Sequence, residues 1–230
     1  MNVKYKYLLF DADNTLFDFD TAERMAFLSL SDVCPDAFDE VTYPVYHVIN
    51  DGLWKALERK EITREKLRSE RFRKYLEAVG APSDDITVAL VTKTYPERLS
   101  RRSDLINGAT ELLECLSGQY EIYLITNGIT SVQLGRLGNS PIKKYVKDIF
   151  ISEQIGFEKP DSRYFDHVIR VIGAGSKDEC LVIGDSLTSD IDGAIGYGID
   201  CAYFDRNRHG TDGRNVNYHV SDLSQLKEIL

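Results

Sequence analysis

The chain has 230 residues, of which 43% are hydrophobic and 28% charged, and its 28 Lys and Arg against 37 Asp and Glu give a net charge of −9. This composition excludes disordered and fibrous proteins. The negative charge argues against a nucleic-acid polymer or an anionic membrane as partner, because both bind basic surfaces. It leaves room for a small phosphorylated metabolite, since a metal ion and one lysine neutralise such a ligand locally.

The cysteines and the N-terminus indicate a cytoplasmic protein. The four cysteines are scattered without a CxxC pair, which favours buried thiols over disulfides or a structural zinc site. The apolar stretch before Asp11 is only about four residues long, too short for a signal peptide. No window approaches the roughly 18 apolar residues of a membrane span.

Short apolar runs alternate with helix-like patterns along most of the chain. The predicted helices cover about 107–118, 129–138, 162–172 and 188–196. Because the runs are apolar on both faces, the pattern predicts an α/β fold with a Rossmann-like parallel sheet between two layers of helices. The predicted strands are Tyr5–Phe10, Glu121–Thr126, Asp148–Ser152, Leu181–Gly184 and Cys201–Phe204.

One long interval breaks this alternation. Roughly 110 residues separate Asp13 from Thr126, whereas a complete βαβ unit needs only about 30. The excess shows amphipathic helical patterns and no clear strand. We therefore predict a smaller helical domain over 19–103, inserted after the first strand of a core formed by 1–18 and 104–230. Its basic residues, Arg71 among them, alternate with glutamates and predict a solvated, salt-bridged helix face.

Two aspartates follow the first predicted strand, at the sheet edge where ligands bind in open parallel sheets. Asp11 and Asp13 are two positions apart, so their carboxylates share one side of the strand end. Two carboxylates this close persist if a cation lies between them or one of them is protonated. The simpler interpretation is an Asx-type turn, which is common at strand ends.

Three further motifs follow later strands. Thr126-Asn127-Gly128 precedes a predicted helix and suits an anion such as phosphate. Lys159 precedes Pro160, which is predicted to open the next helix and leave the lysine free to point inward. Asp185 and Asp190 offer the hard oxygen ligands of a magnesium site. Each motif alone also fits ordinary turn, loop or helix-cap chemistry.

Together the four motifs, DADNT, LITNG, EKPD and GDSLTSD, resemble those of the haloacid dehalogenase superfamily. The resemblance implies that Asp11 attacks phosphorus to form an aspartyl phosphate, and that Asp13 protonates the leaving alkoxide and then deprotonates water. It implies a Mg²⁺ cofactor held by Asp11, the backbone carbonyl of Asp13 and Asp185, with Asp190 in support. Thr126, Asn127 and Lys159 are expected to bind the phosphoryl group.

A narrower likeness concerns the substrate. The stretches LLFDADNTLFDFD, NDGLWKALERKEIT, RFRKYLEAVG and LITNGITSVQLGRL resemble bacterial pyrimidine 5′-nucleotidases, which also act on modified nucleotides. Asn14 departs from relatives that often carry Glu there. The inserted domain resembles, in its position between the first and second motifs, the helical cap that selects substrates in this superfamily. Phe17, Phe19, Trp54 and Tyr95 are candidate contacts for a base, although aromatic residues in a small helical domain more often form its own core.

The leading hypothesis is a Mg²⁺-dependent phosphomonoesterase acting on pyrimidine nucleoside monophosphates. The alternatives are a sugar-phosphate phosphatase or phosphomutase and, in another class, a catalytically silent protein that binds a phosphorylated ligand. A dehalogenase is opposed by Asp13, since a halide leaving group needs no proton. A phosphonatase needs a cap lysine in the active site, for which Lys55 or Lys60 could only be nominated.

Overall fold

The computed structural model describes residues 4–230, so the first three residues of the predicted core segment 1–18 lie outside it. The chain divides into two compact units. One comprises the chain up to Phe19 together with Ser103–Leu230, and the other comprises Asp20–Arg102. Across residues 4–230, no helix combines the length and the hydropathy that a membrane span requires.

The first unit is built on a six-stranded sheet. The strands are β1 (Tyr7–Asp11), β2 (Glu121–Thr126), β3 (Val146–Ile151), β4 (Cys180–Gly184), β5 (Asp200–Phe204) and β6 (Tyr218–Val220). Their order is β3-β2-β1-β4-β5-β6, and every neighbouring pair is parallel. This confirms the predicted α/β fold. The short strand β6 falls in the strand-like stretch NYHV around His219, which is not among the five predicted strands.

Helices pack on both sides of this sheet and make up the second unit. The helices are α1 (Phe19–Leu28), α2 (Tyr43–Glu58), α3 (Arg64–Ala78), α4 (Asp85–Ser100), α5 (Ala109–Leu116), α6 (Thr130–Gly138), α7 (Ser152–Ile155), α8 (Ser162–Ile172), α9 (Asp192–Tyr197) and α10 (Leu226–Ile229). Asp161 caps α8 by accepting the Arg163 amide. Pro160 therefore lies before the cap and does not open the helix as predicted.

The core of the first unit lies on the two faces of the sheet. Successive side chains of a strand point to opposite faces, and along β1 Leu8 and Phe10 join one buried cluster while Tyr7 and Leu9 join the other. All four are almost fully buried. This double burial explains why the strands read as continuous apolar runs, and it holds their carboxyl ends at one edge.

The second unit has an aromatic core of its own. The rings of Phe27, Tyr46, Phe72, Tyr75 and Tyr95 are all buried, with neighbouring centroids 4.9 to 5.8 Å apart. Aromatic pairs at this spacing add stabilisation beyond the area that they bury. Two of these rings, Phe72 and Tyr75, are three residues apart on α3, a helical spacing that helped to predict this segment as a helix.

Arg71 differs from the prediction that the basic residues of α3 are solvated. It is only 2% exposed, and its guanidinium lies 5.1 Å from the centre of the Phe72 ring and 4.7 Å from that of Tyr95. Its Nη1 also donates to Asn50 Oδ1 at 3.4 Å. A guanidinium is more weakly hydrated than an ammonium group, and it stacks well on aromatic faces. Arg71 therefore belongs to the core of the helical unit.

Glu23 on α1 is a buried acid that is satisfied by three side chains of α2. Its carboxylate accepts from Tyr43 Oη at 2.9 Å and Asn50 Nδ2 at 2.7 Å, and lies 2.7 Å from His47 Nδ1. The three partners are three to four residues apart and so share one helix face. Buried charges are tolerated when they are paired and hydrogen-bonded. The network therefore links α1 to α2.

The Glu23 network predicts a pH-dependent stability. The hydrogen bond to Glu23 raises the pKa of His47 above its usual 6.5. Because the folded-state pKa is the higher one, the stabilisation is complete below pH 6.5 and is lost as the pH rises through the folded-state value. We expect His47→Gln to lower the free energy of unfolding at pH 6, and to have a smaller effect at pH 9. His47 is half exposed, so the difference should stay below about 1 kcal/mol.

Urea unfolding of both proteins at pH 6 and 9 measures this difference. His209→Gln is the matched control, because His209 is exposed. A His47→Gln effect that is equal at the two pH values, or that is shared by the control, would contradict the prediction.

Candidate active site

The polar motifs meet where the direction of strand order reverses. β1 lies between β2 and β4, and Asp11, Thr126 and Gly184 are the last residues of these three strands. Crevices for ligands form at such a switch point, outside the carboxyl ends of the strands. The sheet topology thus brings together motifs that are more than 100 residues apart in sequence.

Lys159 is the centre of the site. Its Nζ donates to Asp11 Oδ1 and Asp190 Oδ1, each at 2.6 Å, and to the Ile125 carbonyl at 3.1 Å. Lys159 is 1% exposed and Asp190 is fully buried. Burial alone would lower the pKa of Lys159, but the carboxylates of Asp11 and Asp190 raise it above its usual value. The lysine is therefore a fixed positive charge, as its predicted role requires.

Asn127 holds the backbone of Lys159. Its side-chain Nδ2 donates to the Lys159 carbonyl, and its Oδ1 accepts the Lys159 amide, both at 2.9 Å. Both ends of the Asn127 amide contact the Lys159 backbone, and the phosphate contact expected for Asn127 stays a prediction. Asn127 thus sets the position of the lysine. The two-way pairing could not be read from sequence, because the partners are 32 residues apart.

Thr126 lies at the end of β2, beside Asn127. Its backbone amide donates to Tyr164 Oη at 3.0 Å, and its Oγ1 accepts the Gly128 amide at 3.0 Å. Tyr164 Oη in turn donates to the Phe150 carbonyl at 2.7 Å. The Thr126 hydroxyl keeps its own proton for donation. It is therefore placed to donate to an oxyanion at the strand edge.

Asp185 and Asp190 bring two more carboxylates to Asp11. One carboxylate oxygen from each of the three residues lies within 4.8 Å of the others. The Asp190 carboxylate occupies the space beside Gly184. A Cβ atom added to Gly184 would lie only 2.3 Å from Asp190 Oδ2. Only glycine at 184 leaves this space. Asp190 lies on a wide π-type turn, Leu187–Ile191, that precedes α9, so it reaches back towards Asp185 over one turn.

The electrostatics of this acid cluster fit a divalent cation. Burial, and then repulsion from Asp190, raise the pKa of Asp185 to about 7. Burial likewise raises the pKa of Asp11 well above its usual range, while Lys159 opposes that shift. Repulsion from the neighbouring acids contributes to both upward shifts, and a cation bound among the three side chains would relieve it. Oxygen ligands of this kind are those that Mg²⁺ prefers.

Asp13 lies apart from that cluster and is held by α6. Its Oδ2 accepts from Gln133 Nε2 at 2.6 Å, and its Oδ1 accepts from Arg136 Nη1. Sequence reasoning missed both partners. A signal was present, because Gln133 and Arg136 are polar residues three positions apart on a helix whose same face carries Val132 and Leu137 into the core.

The aromatic residues predicted to contact a base are distributed over the two units. Phe17 is fully buried and Tyr95 is 1% exposed within the aromatic core of the helical unit. Neither ring offers a surface to a ligand, so we withdraw both as substrate contacts. Phe19 and Trp54 are half-buried; Trp54 packs beside Leu53, Leu57 and Leu67.

Asn14 explains how the chain turns after Asp13. Its backbone is left-handed, with φ of 59°, a conformation that asparagine tolerates better than most residues. Its Oδ1 accepts the Phe19 amide at 3.1 Å, at the first residue of α1. The departure at position 14 noted from sequence is thus compatible with a well-formed turn.

Comparison with known proteins agrees with this geometry. The sequence model of one family, described as haloacid dehalogenase-like hydrolase, matches residues 5–198. The chain belongs to this hydrolase family. The predictions of the superfamily and of an enzyme are therefore confirmed.

Three bacterial proteins are similar to this chain over nearly its whole length. The protein is 38% identical to pyrimidine 5′-nucleotidase PynA of Streptococcus pneumoniae, with 98% of this chain and 94% of that protein covered. It is 28% identical to pyrimidine 5′-nucleotidase YjjG of Escherichia coli, with 99% of both covered. It is 34% identical to the HAD-hydrolase YfnB of Bacillus subtilis over 99% of this chain and 96% of YfnB.

The crystal structure of YfnB bound to magnesium is also similar to this structure. The TM-score is 0.90 with 35% identity, and 99% of each chain is covered. A haloacid dehalogenase-like hydrolase of this architecture has thus been observed with the cation for which the acid cluster is suited.

Proposed function

We propose that the protein is a Mg²⁺-dependent phosphomonoesterase that hydrolyses pyrimidine nucleoside 5′-monophosphates. The observation that carries the chemistry is the buried arrangement of Asp11, Lys159, Asp185 and Asp190 at the carboxyl edge of the sheet. The observation that carries the substrate is the 38% identity to a pyrimidine 5′-nucleotidase over 98% of the chain. That match includes the Asp20–Arg102 unit, which we propose to be the substrate-selecting domain.

In the first step Asp11 is the nucleophile. A carboxylate oxygen of Asp11 attacks phosphorus, the bond from phosphorus to the ribose 5′-oxygen breaks, and Asp13 donates a proton to that oxygen. The Lys159 ammonium and the Thr126 hydroxyl bind phosphoryl oxygens, where negative charge must be compensated through the transition state. The product on the enzyme is an aspartyl phosphate at Asp11.

In the second step Asp13 works as a base. It takes a proton from water, the water oxygen attacks phosphorus, and the bond from phosphorus to Asp11 breaks to release phosphate. Asp11, the Asp13 backbone carbonyl and Asp185 would hold Mg²⁺, with Asp190 beside them. Bound there, Mg²⁺ supplies positive charge that lets the Asp11 carboxylate and the phosphoryl group approach each other.

A substrate panel tests this proposal. We expect phosphate release from UMP, dUMP and TMP to exceed that from purine nucleotides and sugar phosphates, and to stop when EDTA removes Mg²⁺. Good turnover of sugar phosphates alone would contradict the substrate and leave the chemistry standing. No turnover of the panel or of nitrophenyl phosphate, at any Mg²⁺ concentration, would contradict the enzyme chemistry and favour a phosphate-binding protein.

A further inference from the structure

Two buried polar side chains of α6 converge on Asp13. Gln133 is 2% exposed and Arg136 is fully buried. They are three residues apart, so they project from one face of the helix. Gln133 donates to one carboxylate oxygen of Asp13 and Arg136 donates to the other. Each oxygen of the carboxylate therefore has its own donor.

The surrounding sequence is arranged so that these two side chains reach Asp13. Gln133 passes directly over Gly128, where a Cβ would lie 2.2 Å from Gln133 Nε2. Gly128 therefore provides space for a side chain. The Arg136 guanidinium lies 4.7 Å from the ring centre of Phe17 and 5.6 Å from that of Phe19. The guanidinium of Arg136 thus packs on the two phenylalanine rings.

Burying the charge of Arg136 is unfavourable in free energy unless that charge is paired. Removing a guanidinium from water is unfavourable, and a buried ion pair often contributes little net stability. The pair formed by the buried Arg136 and the half-buried Asp13 therefore adds little to the stability of the fold. The two hydrogen bonds do fix the orientation of the Asp13 carboxylate, because two donors on two oxygens define its plane.

We propose that Gln133 and Arg136 are positioning residues that orient the Asp13 carboxylate for proton transfer to the leaving group and from water. The inference rests on the proposed function of Asp13 as acid and base. A carboxylate has about four lone-pair sites, so with one donor on each oxygen a site remains for the transferred proton. Proton transfer is sensitive to small errors in placement, and two fixed donors reduce such errors.

The test compares the first step on two leaving groups. With enzyme in excess over substrate, release of nucleoside from UMP or of nitrophenolate from nitrophenyl phosphate reports the first step alone. We expect Gln133→Met and Arg136→Met to slow release from UMP by about 10- to 100-fold and release of nitrophenolate by less than about 3-fold, since nitrophenolate needs little protonation. The enzyme concentration that gives the half-maximal rate should stay unchanged. Arg136→Lys should recover part of the loss.

A double-mutant comparison separates orientation from structure. In an Asp13→Asn background, Gln133→Met should cause no further loss on UMP, because its effect acts through the Asp13 carboxylate. Losses that multiply in that background, or that are equal on the two substrates, would overturn the inference. Gln133→Met also keeps the test decisive if Arg136→Met does not fold. Gln119→Met and Arg170→Met, both at exposed positions, are the matched controls.

Failure of the inference is distinguishable from failure of the proposed function. If Asp13→Asn itself slows both substrates equally, the assignment of Asp13 as acid is wrong. If Asp13→Asn depends on the leaving group but the α6 variants do not, only the inference about Gln133 and Arg136 is wrong. If the enzyme does not hydrolyse UMP, the test uses another phosphate ester of an aliphatic alcohol. The ester chosen is the one that the enzyme hydrolyses fastest in the substrate panel.

Discussion

Asp11→Asn is expected to abolish turnover, with a loss of at least about 10⁴-fold in kcat on any phosphate ester. The amide has nearly the same shape as the carboxylate but cannot attack phosphorus, so no covalent intermediate forms. The fold should be retained. The substitution removes one of three clustered carboxylates, and Lys159 keeps its contact with Asp190. We expect the thermal midpoint to stay equal to that of the unaltered protein or to rise.

The measurement has two parts, steady-state phosphate release and acid-quenched labelling with a ³²P-phosphorylated substrate. The unaltered protein should carry acid-stable label at short times, and the Asp11→Asn variant should carry none. Asp148→Asn makes the same chemical change at an exposed position of β3 and should behave as the unaltered protein. Retention of more than about 1% of activity in Asp11→Asn would rule out Asp11 as the nucleophile.

The sequence allowed the fold to be predicted because its signals are local. A parallel sheet that is buried on both faces produces strands that are largely apolar, and β1, β2, β4 and β5 were recognisable from that property. The remaining long strand, β3, has exposed Lys147 and Asp148 and was recognisable only from its apolar end. The motif residues that follow β1, β2 and β4 could be placed at one edge by the topology of such a sheet. Asp11, Lys159, Asp185 and Asp190 do meet there.

The partners of these residues could not be predicted, because they depend on side-chain contacts between distant segments. The amide of Asn127 pairs with the Lys159 backbone, which is 32 residues away in sequence. Gln133 and Arg136 lie 120 and 123 residues from Asp13. The local pattern of α6 places both polar residues on the face that is buried, but it does not show that their partner is Asp13.

The aromatic residues show the same limit for the helical unit. Tyr95 was a candidate base contact, but its ring packs against Tyr46 and Phe72 at centroid distances of 5.7 and 5.2 Å. Arg71 was assigned to a solvated face and instead stacks on Phe72 and Tyr95. The burial of Arg71 depends on the Tyr95 ring of α4 as well as on Phe72, and the sequence of α3 alone does not show which ring of another helix packs there.

Lys159→Met is expected to damage both stability and activity. Methionine preserves much of the volume but leaves Asp11 and Asp190 without the ammonium that each contacts at 2.6 Å. Removing one partner of a buried ion pair costs about 3–5 kcal/mol, because the remaining charge is uncompensated. Loss of a positive charge on the phosphoryl oxygens should reduce kcat by at least about 10²- to 10³-fold.

The double variant Lys159→Met/Asp190→Asn separates these two effects. Removing the Asp190 charge relieves the repulsion among the carboxylates, so urea unfolding at neutral pH should show a large part of the lost stability restored. Activity should not return, since the lysine is still absent. Lys4→Met is the control, because Lys4 pairs with Asp200 at the surface and such pairs contribute little. If Lys159→Met were as stable as the control, or if the double variant regained activity with its stability, Lys159 would be a structural residue and the phosphoryl group would have to be bound by other donors.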